Sequence, residues 1–322
     1  MNDWLLTSLV LIGAYAIDRL FGEPGRFHPL VGFGNLAARL ERQLNKNLFS
    51  VQTSRLFGAL AWGVMVLPLP LGLWWWQNHW LGWPNMVVWC DLFLVYICLG
   101  NQSLRQHAYA IYQPLTTGDI QSARQAVQMI VSRRTDSMDE SQINRATVES
   151  VLENGHDAVI ATLFWYMIGG APLVVLHRLV NTLDAMWGYK NARFTHFGWL
   201  AAKSDDWLGW LSAKVTGVLY WLSQSWHPPL GWQMLKTALY QSRQYKSLNG
   251  GWVMAIGAFV LQIKLGGKAQ YEQQWFVSVE LGEGEPPTAQ HIVRAVSLVN
   301  RAFMLFVSGI AIIGMIEWIA AR

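Results

Sequence analysis

Charge is scarce in this 322-residue chain: 14% of residues are Asp, Glu, Lys or Arg, against 52% hydrophobic. Soluble domains carry about 25% charged residues, so the composition argues against a water-soluble fold. Cysteine is scarcer still. Cys90 and Cys98 share one apolar stretch, which excludes a disulfide framework and a thiolate metal site. No run or stripe of Lys and Arg occurs, so the net charge of +4 is not a nucleic-acid footprint. The sequence also lacks a Walker-type phosphate loop, an H-E-x-x-H helix, a G-x-S-x-G elbow and paired C-x-x-C motifs. Gly32-x-Gly34-x-x-Ala37 follows His28-Pro29 rather than a buried strand, so it does not count as a dinucleotide fingerprint. Met1-Asn2-Asp3 has no basic flank, and no cleavable signal peptide is expected. Internal repeats and low-complexity tracts are absent.

Tryptophan is what the chain has in excess, with nineteen copies. Trp gathers where hydrocarbon meets water. Apolar runs near 4–21, 56–76, 84–100 and 302–321 are long enough to span, the third by borrowing residues from the loop before it. Residues 22–55 carry Arg26, Arg39, Arg42, Lys46 and Arg55, and the region after Gly100 is basic, whereas 77–86 has no Lys or Arg. The positive-inside rule therefore puts the first two in the cytoplasm and the last outside. The run 158–180 lies between two basic regions and is divided by Gly169-Gly170-Ala171-Pro172 into pieces too short to cross. A broken, re-entrant or protein-buried pair of half-helices satisfies both constraints; an uninterrupted transmembrane helix is the alternative. The expected fold is an all-α polytopic membrane protein. It forms one domain over 1–322, with about four transmembrane helices, buried half-helices and a cytoplasmic helical region within 101–301.

Nine of the twenty carboxylates fall between residues 133 and 206. Ser137 and Glu140 look like a capping box opening a helix that Gly155 would stop. One face of that helix carries Arg145, Glu149 and Glu153, followed by Asn154 and Asp157. Such oxygen donors suit Mg²⁺, which takes carboxylates, water and substrate phosphates; a solvated ion-paired face is the alternative. Asn181, Asp184, Lys190, Asn191 and Arg193 form a second cluster, in which Lys and Arg could hold phosphate. Near the N-terminus, Asp18 is either a functional carboxylate at the membrane edge or a partner of Arg19 or Arg26. His28, before a proline, is a structural or a binding residue.

These residues carry a resemblance. Asp18, Gly22-Glu23-Pro24 and His28-Pro29 are similar to the D-x-x-x-G-D-P…H-P element of the CobD/CbiB membrane proteins of cobalamin biosynthesis. Arg133, Thr135, Asp139-Glu140, Arg145-Ala146, Glu149-Ser150, Glu153-Asn154 and Asp157 resemble that family's next conserved run. N-T-L-D…G-Y-K-N stands at Asn181 to Asn191, F-G-W…D-D at Phe197 to Asp206, and a late element at Ser247, Asn249, Gly251-Trp252 and Leu265-Gly266-Gly267.

The resemblance implies an adenosylcobinamide-phosphate synthase. Such enzymes join adenosylcobyric acid to (R)-1-aminopropan-2-ol O-phosphate with ATP and Mg²⁺, in the bacterial inner membrane with the active site facing the cytoplasm. It implies Glu149, Glu153, Asp157 and Asp18 as metal ligands. Asp184, Lys190 and Glu153 would be catalytic. Arg133, Arg145, Asn181, Asn191, Arg193, His28 and Asn249 would bind substrate or phosphate. The partners expected are the corrinoid, the aminopropanol phosphate, the bilayer and other membrane enzymes of the pathway, and no nucleic acid. The family's acid in G-R-D-T is Arg134 here, and the P-E after G-W is Val253-Met254. Those departures raise two alternatives, a non-catalytic AmpE-like regulatory membrane protein and a corrinoid-binding scaffold.

Overall fold

A computed structural model of the chain describes residues 3–25, 28–46, 50–79, 84–131, 134–224, 231–271 and 274–322. Helices α1 (Asp3–Phe21), α2 (Pro29–Leu44), α3 (Val51–Val66), α4 (Pro68–His79) and α5 (Pro84–Cys98) come first. Next are α6 (Asn101–Thr116), α7 (Ile120–Gln128) and α8 (Glu140–Asn154), then a π-helical turn over Gly155–Ile160 and α9 (Ala161–Trp187). The chain continues through α10 (Trp199–Leu222), α11 (Trp232–Gln244) and α12 (Leu248–Leu261). A two-stranded antiparallel ribbon, β1 (Leu265–Tyr271) with β2 (Gln274–Leu281), precedes α13 (Ala289–Ala320).

Among the described residues, five helical segments are long and apolar enough to cross a bilayer: Asp3–Phe21, Val51–His79, Asn85–Thr116, Glu140–Trp187 and Ala289–Ala320. The molecule is an all-α polytopic membrane protein with one small β-ribbon that the sequence reading did not foresee. The fourth of these, Glu140–Trp187, contains the divided run. Helical geometry fails there at Gly169 (φ −156°, ψ 30°) and Gly170 (φ 65°, ψ −161°), and only glycine takes the second conformation without strain.

The chain separates into two compact units. The first is Met1–Gly100, Ala161–Trp210 and Ile310–Arg322; the second is Asn101–Ile160 and Leu211–Gly309. In the first, α9 is the central helix and packs against each of α1 to α5. Its break faces a polar cage: Asp91 accepts from Gln77 Nε2 at 2.6 Å and from the Tyr166 hydroxyl at 3.0 Å. A Cβ on Gly170 would come within 3.8 Å of Asp91 Oδ2.

In the second unit α8 is central, against α6, α7, α12 and β1. Helix α12 is apolar on all sides and buried from Gly250 to Phe259, as a core helix must be. It ends where Gln262 turns left-handed (φ 58°). Two sequence expectations for α8 are corrected. The cap is Asp139, whose side chain accepts from Gln142 N while Gln142 reaches back, so the box sits two residues beyond Ser137. Gly155 does not stop the helix. A Cβ there would meet the Tyr220 hydroxyl and Val299 Cγ2, each at 2.5 Å, so this glycine serves close packing. The backbone passes on into the π-turn, and Tyr220 donates to the carbonyl of Leu152 at 3.0 Å.

Candidate functional site

In the second unit, the π-turn presents the acids. Such turns re-aim side chains and recur at functional sites. His156 Nδ1 donates to Asp157 Oδ1 at 2.7 Å, and His156 Nε2 shares a 2.9 Å hydrogen bond with Ser212 Oγ on α10. Acid, imidazole and hydroxyl stand in the order of a nucleophilic triad. Ser212 is fully buried, however, and His156 is 1% exposed, so no substrate reaches the hydroxyl. The accessible end is Asp157, whose side chain is 28% exposed. Ser212 and His156 therefore anchor the Asp157 carboxylate. One turn earlier, Glu153 lies against the start of α12, where a Cβ on Gly250 would meet its Oε1 at 2.6 Å. Ser247 caps that helix and Asn249 lies in its first turn. The structure thus brings Glu153 together with the Asn249 segment from nearly a hundred residues away.

Arg145 and Glu149 are occupied differently from the sequence expectation. Arg145 Nη1 donates to the carbonyl of Gly266 at 2.7 Å, while Gly266 N donates to Glu149 Oε1 at 2.8 Å. Together they clamp the β-bulge between Gly266 and Gly267, which the left-handed Gly266 (φ 75°) requires. Among the described residues, no three His, Cys, Asp or Glu side chains gather as a metal-holding group. The four expected ligands Glu149, Glu153, Asp157 and Asp18 therefore do not make a protein-only cage. Lys214 stands with Nζ 4.6 Å from the Trp252 ring, and burial, helped by the Arg243 charge, pushes its ammonium below the ordinary lysine range.

In the first unit, the end of α9 and the loop after it collect the second cluster. Arg178 Nη1 donates to Asn181 Oδ1, and Asn181 Nδ2 donates to Asp205 Oδ1, both at 3.2 Å. Asp184 is folded over Gly188, where any Cβ would collide with its Oδ1 at 1.9 Å. Lys190 is exposed. Asn191 Oδ1 accepts from the backbone N of Arg193 and of Phe194, which makes it the organiser of this turn. Arg193 forks onto Glu41 (Nε to Oε1 at 2.9 Å, Nη2 to Oε2 at 2.6 Å), so Glu41 occupies the fork expected to take phosphate. Asp18 is fully buried in α1. His28 Nδ1 accepts from Leu30 N and caps α2, a structural task. Arg133 lies outside the described residues, as does Arg26.

Sequence reasoning missed His156, Ser212 and Glu41. Only a buried histidine next to an acid signalled the first, and nothing local signalled the other two.

The CobD/Cbib protein family matches residues 11–299. The chain is 45% identical to the cobalamin biosynthesis protein CobD of Chromobacterium violaceum over 95% of both chains. It is also 45% identical to that of Stutzerimonas stutzeri, over 90% of this chain and 92% of the relative. For the protein of the same name from Halalkalibacterium halodurans the identity is 34%, over 95% and 96%. No solved structure matches the chain.

Proposed function

This chain belongs to the CobD/CbiB family of cobalamin biosynthesis, and from that premise we propose that it is an adenosylcobinamide-phosphate synthase of the bacterial inner membrane, with its working residues on the cytoplasmic side. The reaction joins a carboxylate of adenosylcobyric acid to the amine of (R)-1-aminopropan-2-ol O-phosphate, with ATP as co-substrate. A carboxylate does not acylate an amine at neutral pH until one of its oxygens becomes a leaving group. Transfer of the γ-phosphoryl of ATP to that oxygen gives an acyl phosphate and ADP. Attack by the amine then forms the C–N bond, expels phosphate and sheds one proton.

Glu153 and Asp157 are the donors that would hold Mg²⁺. Their all-oxygen chemistry fits an ion that takes one or two carboxylates and fills its remaining positions with water and phosphate. Bound there, it would neutralise charge developing on the transferred phosphoryl group. His156 and Ser212 keep Asp157 in place. On this reading Lys190 would supply a compact charge for a phosphate, and Asp184 would accept the ammonium proton. Exposed Trp199, Trp207 and Trp210 offer flat apolar area to a corrinoid.

The observation that supports this reading most is the π-turn, which leaves Asp157 partly exposed while locking it through a buried histidine. Arg134 is exposed beside Asp136 at 3.6 Å, and Met254 is a core residue at 1% exposure. The test uses membranes containing the full chain, given adenosylcobyric acid, aminopropanol phosphate and Mg²⁺ with or without ATP. Product is expected only with ATP, and Asp157→Asn should lower its rate by about 10²-fold or more. Product formation without nucleotide, or an unimpaired Asp157→Asn, would remove the mechanism; corrinoid binding without turnover would support the scaffold instead.

A further inference from the structure

At the basic end of the candidate span Val51–His79, the first unit contains a cleft of about 630 Å³. That is within the roughly 300–1,000 Å³ typical of small-molecule sites. Arg42, Asn45, Lys46, Ser54, Arg193 and His196 line it, three of them cationic and none acidic. Beneath it lies Glu41, 3% exposed, with Arg193 on both carboxylate oxygens and Asn45 Nδ2 donating at 2.8 Å. Burial pushes the Glu41 carboxyl up, but Arg193, Asn45 and the more distant Arg42 charge outweigh it and hold it below the usual carboxylate range. Arg193 and Glu41 thus neutralise each other and stiffen the wall, and Asn45 Nδ2 ties in further by donating to the carbonyl of Arg193 at 2.9 Å.

The remaining cations are not neutralised in this way. Arg42 and Lys46 are exposed, and neither meets a carboxylate at ion-pair distance among the described residues. His196 adds a buried Nδ1 that has no hydrogen-bond partner there. Ser54 contributes a hydroxyl from the first turn of α3, where helix N–H groups and the dipole favour negative charge. Two uncompensated cations and a hydroxyl line one cavity with a fixed wall. Phosphate receptors are assembled from these parts.

We propose that this cleft binds a phosphate-bearing ligand, a phosphate mono- or diester, through Arg42 and Lys46. Two sources share that chemistry. Arg55, one turn into α3, lies 5.5 Å from the Trp199 ring, an arrangement suited to the membrane–water boundary, where anionic lipid headgroups are at hand. A soluble phosphate ester is the other.

The experiment titrates the full chain in neutral detergent with inorganic phosphate by calorimetry. In a second arm, phosphatidylglycerol bound per protein is measured after reconstitution into phosphatidylcholine nanodiscs doped with that lipid. Arg42→Gln/Lys46→Gln is expected to weaken binding at least tenfold in one arm, and Arg42→Lys/Lys46→Arg to retain it. Wild-type binding in that arm should also fall as salt rises. The responding arm identifies the source. Wild-type binding in neither arm, or equal binding by the charge-removed variant in both, would overturn the proposal. Should the double variant unfold, Lys46→Gln alone, at an exposed position, decides by the same titrations. The inference is independent of the ligase reading, since neither arm measures turnover.

Discussion

His156 converts a surface carboxylate into a fixed one, and its removal should show what that fixing is worth. If Asp157 holds Mg²⁺ as proposed, replacing His156 with Ala should lower turnover in the proposed synthase reaction by about 10–100-fold, the usual effect of losing a group that orients a metal ligand. The Mg²⁺ concentration needed for half-maximal rate should rise, which a purely structural defect would not cause. Glu41 allows a pH prediction. Its folded pKa lies below the unfolded value of about 4.3. The stability it contributes is therefore fully present above that value and lost as pH falls through the folded one. Glu41→Gln should destabilise the chain at neutral pH by about 1–2 kcal/mol, because Arg193 is half exposed and screened. The gap from wild type should close in acid-induced unfolding below about pH 4. Acids in an apolar chain are conspicuous, so Glu153, Asp157 and Asp184 were legible as candidates. Their partners were not. Arg193 and Arg42 are the same residue type in similar basic surroundings, and only the fold shows that Glu41 engages the first and leaves the second uncovered.

Two glycines let individual elements be tested. Gly155→Ala puts a methyl group into Tyr220 and Val299, and overpacking of this kind costs about 1–3 kcal/mol; a lowered thermal midpoint checks it. The one close contact of a Gly250→Ala methyl group is with the far end of a flexible side chain, Glu153 Oε1 at 2.6 Å; Ser247 Oγ lies at 3.4 Å. The substitution should leave the midpoint nearly unchanged while turnover falls at least tenfold, about 1.4 kcal/mol, because the carboxylate has to move. The apolar helices were readable from run length and the break in α9 from its glycines, since both are local properties. The ribbon was not. Its strands are short, and what holds their Gly266–Gly267 bulge is a pair of side chains from α8, more than a hundred residues earlier. The π-turn escaped for a related reason. Gly155 reads as a terminator until tertiary packing shows a tyrosine pressed against it.

For the whole molecule, the Lys and Arg distribution makes a topological prediction. A membrane-impermeant thiol reagent should label Asn78→Cys in intact spheroplasts, and Lys190→Cys only after permeabilisation. Labelling of both before permeabilisation would reverse the assigned orientation. The interruption at Gly169–Gly170 bears on biogenesis. Opened backbone in hydrocarbon is tolerated only where protein covers it, and Gln77 and Asp91, which face the gap, sit on α4 and α5. Both helices leave the ribosome before α9, so the cover is synthesised ahead of the flaw it conceals. A circular permutant that made α9 first would expose bare peptide groups to lipid and should be degraded, even though its finished contacts would be identical.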